Sequence, residues 1–327
     1  MQAIQIRNFG TSENLQVAHV VLPEISSTQV KVNVYAAGVN PSDVYTSTGT
    51  YAIKPALPYT PGLDGAGIVE QVGADVSHVK VGDRVFIASL PNGTTSGTFA
   101  EEIVCDATFV YPLPEHIHFE QGAALGIPAL TAYRAIVQKA KLVAGQTIFI
   151  HGASGAVGLQ AIQIAKAIGA TVIGTASRDE GKALVKEAGA DFVFDHLTEE
   201  NISEVLAVTN GKGPDVVIEF LANVNLQTDL QLIAKYGVIV IVGNRGEVTI
   251  NPRLIMQKEC DVRGMVLFNV TSEEHQALIE GVATLLQSKQ LQPVVGYTYS
   301  LEQAGMAFDA VIEGKHNGKV VVQTRTK

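Results

Sequence analysis

The 327-residue chain has no tryptophan, two cysteines and no apolar run of membrane-spanning length. Two cysteines, Cys105 and Cys260, without close spacing argue against a disulfide framework, and the count excludes any four-cysteine metal lobe. The apolar segment Val238–Val242 is strand-sized, whereas a spanning helix needs about 20 residues. Residues Met1–Arg7 do not read as a signal peptide, lacking a basic stretch followed by an apolar one. A soluble, cytoplasmic protein is expected. Basic residues are also scarce, 23 against 32 acidic, leaving a formal charge of −9. That balance argues against a surface built for nucleic acid or an anionic membrane. Any anionic ligand must therefore be met by local positive groups. No internal repeat or low-complexity segment is present.

What is present is apolar and long enough for two domains, with 46% hydrophobic and 17% charged residues. Up to about residue 120 the chain reads as β-rich. Gln29–Tyr35, Gly67–Val72, Arg84–Ile87 and Phe99–Val104 are short β-favouring segments. Turns at Pro61-Gly62, Gly82-Asp83 and Pro91-Asn92-Gly93 punctuate them, and few stretches suit a helix. From Gln146 onward, strand-like and helical segments alternate. Strands are expected at Thr147–His151, Thr171–Thr175, Phe192–Phe194, Asp215–Phe220 and Val238–Val242. Helices are expected at Ala156–Ile168, Glu180–Ala188, Glu199–Val208 and Leu226–Ala234. Repeated βα alternation with nearly continuous apolar strands predicts an α/β, doubly wound parallel sheet. The alternation stops near Arg263. Helices Ser272–Gln287 and Leu301–Ile312 and a strand at Lys319–Gln323 are too little for another domain, so they are expected to rejoin the first. The expected boundaries are 1–124 with 265–327, and 125–264 between them.

His151-Gly152-Ala153-Ser154-Gly155-Ala156-Val157-Gly158 lies between a predicted strand and a predicted helix. Glycines there permit a tight turn, close approach of a pyrophosphate and close helix–strand packing. The helix start supplies N–H groups and a favourable dipole. A merely structural turn is the alternative reading, and the βαβ context favours the dinucleotide. The second strand ends in Ser177-Arg178, with Lys182 one turn on, where an NAD site would place an acidic residue for the ribose 2′-hydroxyl. These residues predict a 2′-phosphate and hence NADPH. The alternative is an exposed basic helix start neutralised by Asp179 and Glu180.

Several segments together resemble a known family. They are Ala37-Gly38-Val39-Asn40-Pro41, Leu57-Pro58-Tyr59-Thr60-Pro61-Gly62, Val81-Gly82-Asp83-Arg84-Val85, Gln121-Gly122-Ala123-Ala124, Thr131-Ala132-Tyr133-Arg134 and His151–Gly158. Leu221-Ala222-Asn223-Val224-Asn225-Leu226 and Val242-Gly243-Asn244-Arg245-Gly246 are the more specific ones. The chain resembles zeta-crystallin-type quinone oxidoreductases, the zinc-free branch of the medium-chain dehydrogenases/reductases. The resemblance implies a Rossmann sheet inserted into a GroES-like β-rich domain. It implies cofactor contacts at Tyr45, Thr131, Gly152, Ser154, Gly155, Ala156, Val157, His196, Asn225, Val242, Gly243, Asn244, Arg245, Met265, Val266 and Leu267. Ala156 stands where relatives often have glycine, and Ser177 where some do.

Each of these positions has a plainer reading. Tyr45 and Tyr51 would simply pack in a loop, His196 would be a satisfied surface histidine, and Asn225 would be only a helix N-cap. For a metal, Asn40 and Ile127 stand where the zinc branch places cysteines, and Pro61–Asp64 where it has a Gly-His-Glu run. Asp43 and Asp64 are oxygen donors, unsuited to zinc on their own. No metal is expected.

Without a Lewis acid, the suited acceptors are those that already stabilise negative charge: quinones or activated enones. Asn40, Asp43, Tyr45 and Tyr51 are expected at the reacting end. Tyr45 would orient the cofactor, Tyr51 and Ile127 would shape the quinone pocket, and Tyr51 could donate a hydrogen bond. An enone or alkenal double-bond reductase is the nearest alternative. A nucleotide-binding structural or AU-rich-RNA-binding protein is the alternative of another class, disfavoured by the acidic balance. A sheet edge near Val262–Leu267 is expected to pair in a homodimer or homotetramer.

Overall fold

The computed structural model describes residues 1–89, 96–198, 201–314 and 316–325. The turn expected at Pro91-Asn92-Gly93 and the helix start expected at Glu199 lie outside them. The chain divides into two compact units, residues 1–127 with 293–327, and residues 128–292.

In chain order the elements begin with the antiparallel pair β1 (Gln2–Gln5) and β2 (Gln16–His19). Then come β3 (Gln29–Gly38), α1 (Pro41–Ser47), β4 (Asp64–Val72) and β5 (Arg84–Ala88). β6 (Glu102–Asp106), β7 (Val110–Pro112), α2 (Phe119–Gly122) and α3 (Gly126–Tyr133) follow. The alternating part runs β8 (Thr147–Ile150), α4 (Ala156–Ile168), β9 (Thr171–Thr175), α5 (Asp179–Glu187) and β10 (Phe192–Phe194). It continues with α6 (Asn201–Val208), β11 (Val216–Glu219), α7 (Ala222–Leu232), β12 (Val238–Ile241), α8 (Pro252–Lys258) and β13 (Asp261–Gly264). Last come α9 (Ser272–Gln287), β14 (Val295–Ser300), α10 (Ala304–Glu313) and β15 (Lys319–Gln323).

In the first unit, seven strands form one sheet in the order β14-β15-β3-β4-β5-β7, with β6 also paired to β3. Alternate residues of β3, Val30, Val32 and Val34, face a core with Val69, Val85, Ile87, Ile103 and Val110. Farther along the sheet, Ala37, Phe99, Phe308, Val320 and Val322 make a second core. The helix α1 is a departure from the β-rich expectation. Pro41 at its first turn and the Asp43 carboxylate, which accepts the Asn40 N–H at 2.8 Å, start it.

In the second unit, six parallel strands run in the order β10-β9-β8-β11-β12-β13. This is the doubly wound order in which direction reverses between β8 and β11. Phe149, Ile173, Val217, Leu230 and Ile239 lie in its core. α4 ends on Gly169, whose φ of +92° closes the helix in the left-handed region, with Lys166 in the last turn. The second boundary differs from expectation: α9 groups with this unit, and the return to the first falls at Pro293 rather than at residue 265. Among the described residues no helix is long and apolar enough to cross a membrane.

Candidate functional site

The reversal point between β8 and β11 is where open α/β sheets place their ligands. The turn after β8 lies there. Gly152 adopts a φ of +49°, and a Cβ on it would meet nothing within 4 Å, so its face is open. Gly158 does the opposite task. A Cβ there would come within 2.7 Å of the Ala153 backbone, so only glycine lets α4 pack this closely. The Ala153 N–H donates to Thr175 O at 2.8 Å and the Gly152 N–H to Thr175 Oγ1 at 3.2 Å, anchoring the turn on β9.

Gly155 is the N-cap of α4 and, as glycine, supplies no side-chain cap. The first N–H groups of the helix, from Ala156 onward, have no intrahelical acceptors and are available to an anion. Half-buried Ser154 and Val157 border them. These features fit a dinucleotide pyrophosphate. At the end of β9, half-buried Ser177 is followed by exposed Arg178, the N-cap of α5. Lys182, the other basic residue of this region, is ion-paired to Asp195 at 2.9 Å. Exposed His196 follows Asp195.

The ends of β11 and β12 are joined through Glu219. Its carbonyl accepts the N–H groups of Val242 at 2.8 Å and Gly243 at 3.2 Å. A Cβ on Gly243 would lie 2.3 Å from Phe220 O, so this approach requires glycine. The Arg245 N–H donates to Asn223 Oδ1 at 2.9 Å, and the Arg245 side chain is exposed beside exposed Asn244. Asn225 lies inside the first turns of α7, whose N-cap is Leu221, so the N-cap reading of Asn225 is corrected. Its Nδ2 instead donates to Glu219 Oε1 at 3.2 Å. Of the segment after β13, Met265 and Leu267 are buried and Val266 is exposed. Thr131 is buried in α3.

Within the first unit, Asn40, Asp43, Asp64, Ile127 and Lys319 form one network. Asn40 Nδ2 donates to Asp64 Oδ2 at 2.8 Å, and the Ile127 N–H donates to Asp64 Oδ1 at 2.8 Å. The Lys319 ammonium donates to Asn40 Oδ1 at 2.5 Å and to Asp64 Oδ2 at 2.9 Å. Lys319 is 2% exposed and Asp64 is fully buried. Asn40 therefore spends its carboxamide inside the fold, and Ile127 contributes a backbone donor. The Asp64 carboxylate is already neutralised by an ammonium. Burial and the nearby Asp64 push Asp43 up to about 7, so it holds a proton near neutrality. Burial and the Asp43 charge also raise the Tyr51 phenol. Tyr45 and Tyr51 are linked through the backbone, Tyr51 N–H to Tyr45 O at 3.1 Å.

Sequence reasoning missed Lys319, and with it the joining of Asn40 to Asp64. It also missed His151, Glu219 and Asp229, all buried beneath the glycine turn. The available signals were single charged residues in apolar settings: Lys319 opening Lys-Val-Val-Val, and Glu219 closing Val-Val-Ile-Glu.

Comparison with known proteins places this geometry. Residues 26–115 match the alcohol dehydrogenase GroES-like domain, and residues 156–284 the zinc-binding dehydrogenase family. A GroES-like β unit combined with a doubly wound dinucleotide-type sheet defines a medium-chain dehydrogenase/reductase. The rat quinone oxidoreductase is 45% identical over 98% of this chain and 97% of its own length. The human quinone oxidoreductase is 43% identical over the same shares. Among solved structures, Escherichia coli quinone oxidoreductase complexed with NADPH superposes with a TM-score of 0.87 at 28% identity, covering 99% of this chain and all of that one. An NAD-dependent alcohol dehydrogenase reaches a TM-score of 0.92 at 29% identity, covering 99% of each chain. Within the medium-chain class, the chain belongs to the zinc-free quinone oxidoreductase family.

Proposed function

We propose that this protein is an NADPH-dependent quinone reductase that works without zinc. The observation that carries the reading is the full-length likeness to quinone oxidoreductases, at 43–45% identity over 98% of the chain. The open Gly152 turn and the glycine N-cap of α4 suit the pyrophosphate, and Ser177 and Arg178 suit the 2′-phosphate. When bound, the dinucleotide supplies the hydride. Asn225, Val242–Arg245 and the turn hold and orient it. Tyr45 and the segment Met265–Leu267 are assigned to its nicotinamide end, with Thr131 and His196 as further contacts. On the acceptor side, Tyr51 keeps its phenolic proton, chiefly because it is partly buried, and is the group assigned to donate a hydrogen bond to the quinone oxygen. Asn40 and Ile127 act through Asp64, holding the start of α1, which carries Tyr45, and the bend with Tyr51 that follows it.

Steady-state turnover with NADPH and NADH, against ortho-quinones, para-quinones and enones, tests this. The expected result is at least about tenfold higher kcat/KM with NADPH, a difference of ~1.4 kcal/mol. Equal use of NADH, or reduction of enones alone, refutes it. We further propose a cytoplasmic protein and, since β13 is one of the two edge strands of the six-stranded sheet, a homodimer or homotetramer paired through it.

A further inference from the structure

The His151–Glu219–Asp229 cluster lies directly under the site and has no assigned task. His151 follows β8 and precedes Gly152, Glu219 ends β11, and Asp229 stands on α7. Glu219 and Asp229 are fully buried, and His151 is 7% exposed. His151 Nε2 lies 2.7 Å from Asp229 Oδ1 and 3.3 Å from Glu219 Oε2. Two buried oxygens, Glu219 Oε2 and Asp229 Oδ2, have no hydrogen-bond partner. Two orphaned carboxylate oxygens in a closed core are costly, and one imidazole N–H directed at Asp229 Oδ1 serves neither.

We propose that Glu219 and Asp229 share one proton between these two oxygens, and that the protonated pair positions Asn225 for the dinucleotide. The second half of this proposal rests on the dinucleotide reading above. One shared proton satisfies both orphans at once and leaves the cluster with a single negative charge facing His151. A metal is the competing occupant, since one ligand atom from each residue lies within 4.8 Å of the others. The geometry favours the proton. The 2.7 Å His151–Asp229 contact is a hydrogen bond, whereas ligand atoms around a tetrahedral metal stand about 3.3 Å apart.

The link to the cofactor runs through the other oxygen of Glu219. Oε1 accepts the Leu221 N–H and, at 3.2 Å, Asn225 Nδ2. The Glu219 carbonyl meanwhile holds Val242 and Gly243. One residue thus fixes both segments of this unit that carry the more specific family motifs. Loss of the shared proton places two carboxylates against each other and displaces the Asn225 acceptor. The titratable groups facing the cluster are His196, whose charge opposes that of His151, and the Asp195–Lys182 pair beside His196. Burial chiefly, together with Asp229, moves Glu219 up to about 7, although the His151 charge opposes it. Burial works against the His151 imidazolium, but the Asp229 hydrogen bond and the two carboxylates raise it overall.

NADPH titrations of the purified protein from pH 6.5 to 8.5, on native chain, Glu219→Gln and Glu219→Ala, test this together with infrared spectra of the carboxyl region. Gln keeps the Oε1 acceptor and supplies its own N–H to Asp229. The native Kd is expected to weaken about fivefold relative to Glu219→Gln across that range, a ratio that cancels ionisation of the 2′-phosphate. Glu219→Ala, which loses the Asn225 partner, is expected to bind about tenfold more weakly at pH 6.5. A protonated-carboxyl band, shifted in D2O and absent from Glu219→Gln, is expected at pH 6.5. A constant ratio across pH overturns the positioning role, and a missing band or one tightly bound metal per chain overturns the shared proton. Absence of NADPH binding by the native chain at every pH refutes the dinucleotide reading and the positioning role with it, while the band still decides the proton.

Discussion

The two units each bury a cluster of charged side chains, and they balance it in opposite ways. In the first unit, Lys319 brings a full positive charge to Asp64, and Asn40 and the Ile127 N–H complete the carboxylate's partners. In the second, two carboxylates face one imidazole, and two oxygens are left without donors. At the centre of the first cluster is a closed ion pair, Lys319 with Asp64, each buried charge meeting one of opposite sign. The second has a charge that a single proton changes. Rigidity in one and adjustability in the other follow from the choice of lysine or histidine as the cation.

The sharpest way to break the first cluster is Lys319→Met. It leaves the Asp64 carboxylate buried and unpaired, and is expected to cost about 3–5 kcal/mol, read by urea unfolding. A loss below about 1 kcal/mol would mean the pair is not what holds the start of α1.

A second measurement sharpens the contrast through pH. Asp43 and Glu219 both sit near 7 in the folded chain, above their ordinary values of 3.8 and 4.5. The folded state then binds more protons than the unfolded state between those values and about 7. Stability is therefore expected to fall as pH rises from 5 to 7.5, by on the order of 2 kcal/mol per group. The raised His151 acts in the same direction above pH 6.5. Asp191, whose pKa is lowered by Lys166 and the Val172 N–H against the effect of burial, contributes stability that is lost only at acid pH. Glu219→Gln and Asp43→Asn should each flatten the slope. A slope unchanged in both variants would show that neither carboxyl carries the proton.

The smallest expected effect is at Tyr51. Tyr51→Phe removes the phenol assigned to the quinone while leaving the network around Lys319 whole. A three- to tenfold loss in kcat with little change in NADPH affinity is expected, about 1 kcal/mol. Unchanged turnover removes Tyr51 as donor.

Much of the alternating unit was legible in the sequence. The expected Ala156–Ile168, Thr171–Thr175 and Phe192–Phe194 segments coincide with α4, β9 and β10. Apolar periodicity and glycine punctuation act within a few residues of the chain, and these elements depend on little else. α1 was not legible, because its start relies on a reach-back bond from Asp43 rather than on a long apolar stripe. The return of the chain at Pro293 was misplaced for a related reason. A helix such as α9 carries an apolar face, but nothing in its sequence says which core receives that face.

The same division holds at the site. Glycine spacing within its βαβ context marked the Gly152–Gly158 turn, since its task is set by backbone conformation between one strand and the next helix. Likewise, residue types at the end of β9 pointed to the 2′-phosphate without any distant partner. What only the tertiary structure decided is which charges meet. Lys319 reaches Asp64 across 255 positions, and His151 meets Asp229 across 78. Sequence determined that charged groups lie in apolar segments. Burial and pairing, which fix whether such a group is an anchor or a proton carrier, are properties of the folded core.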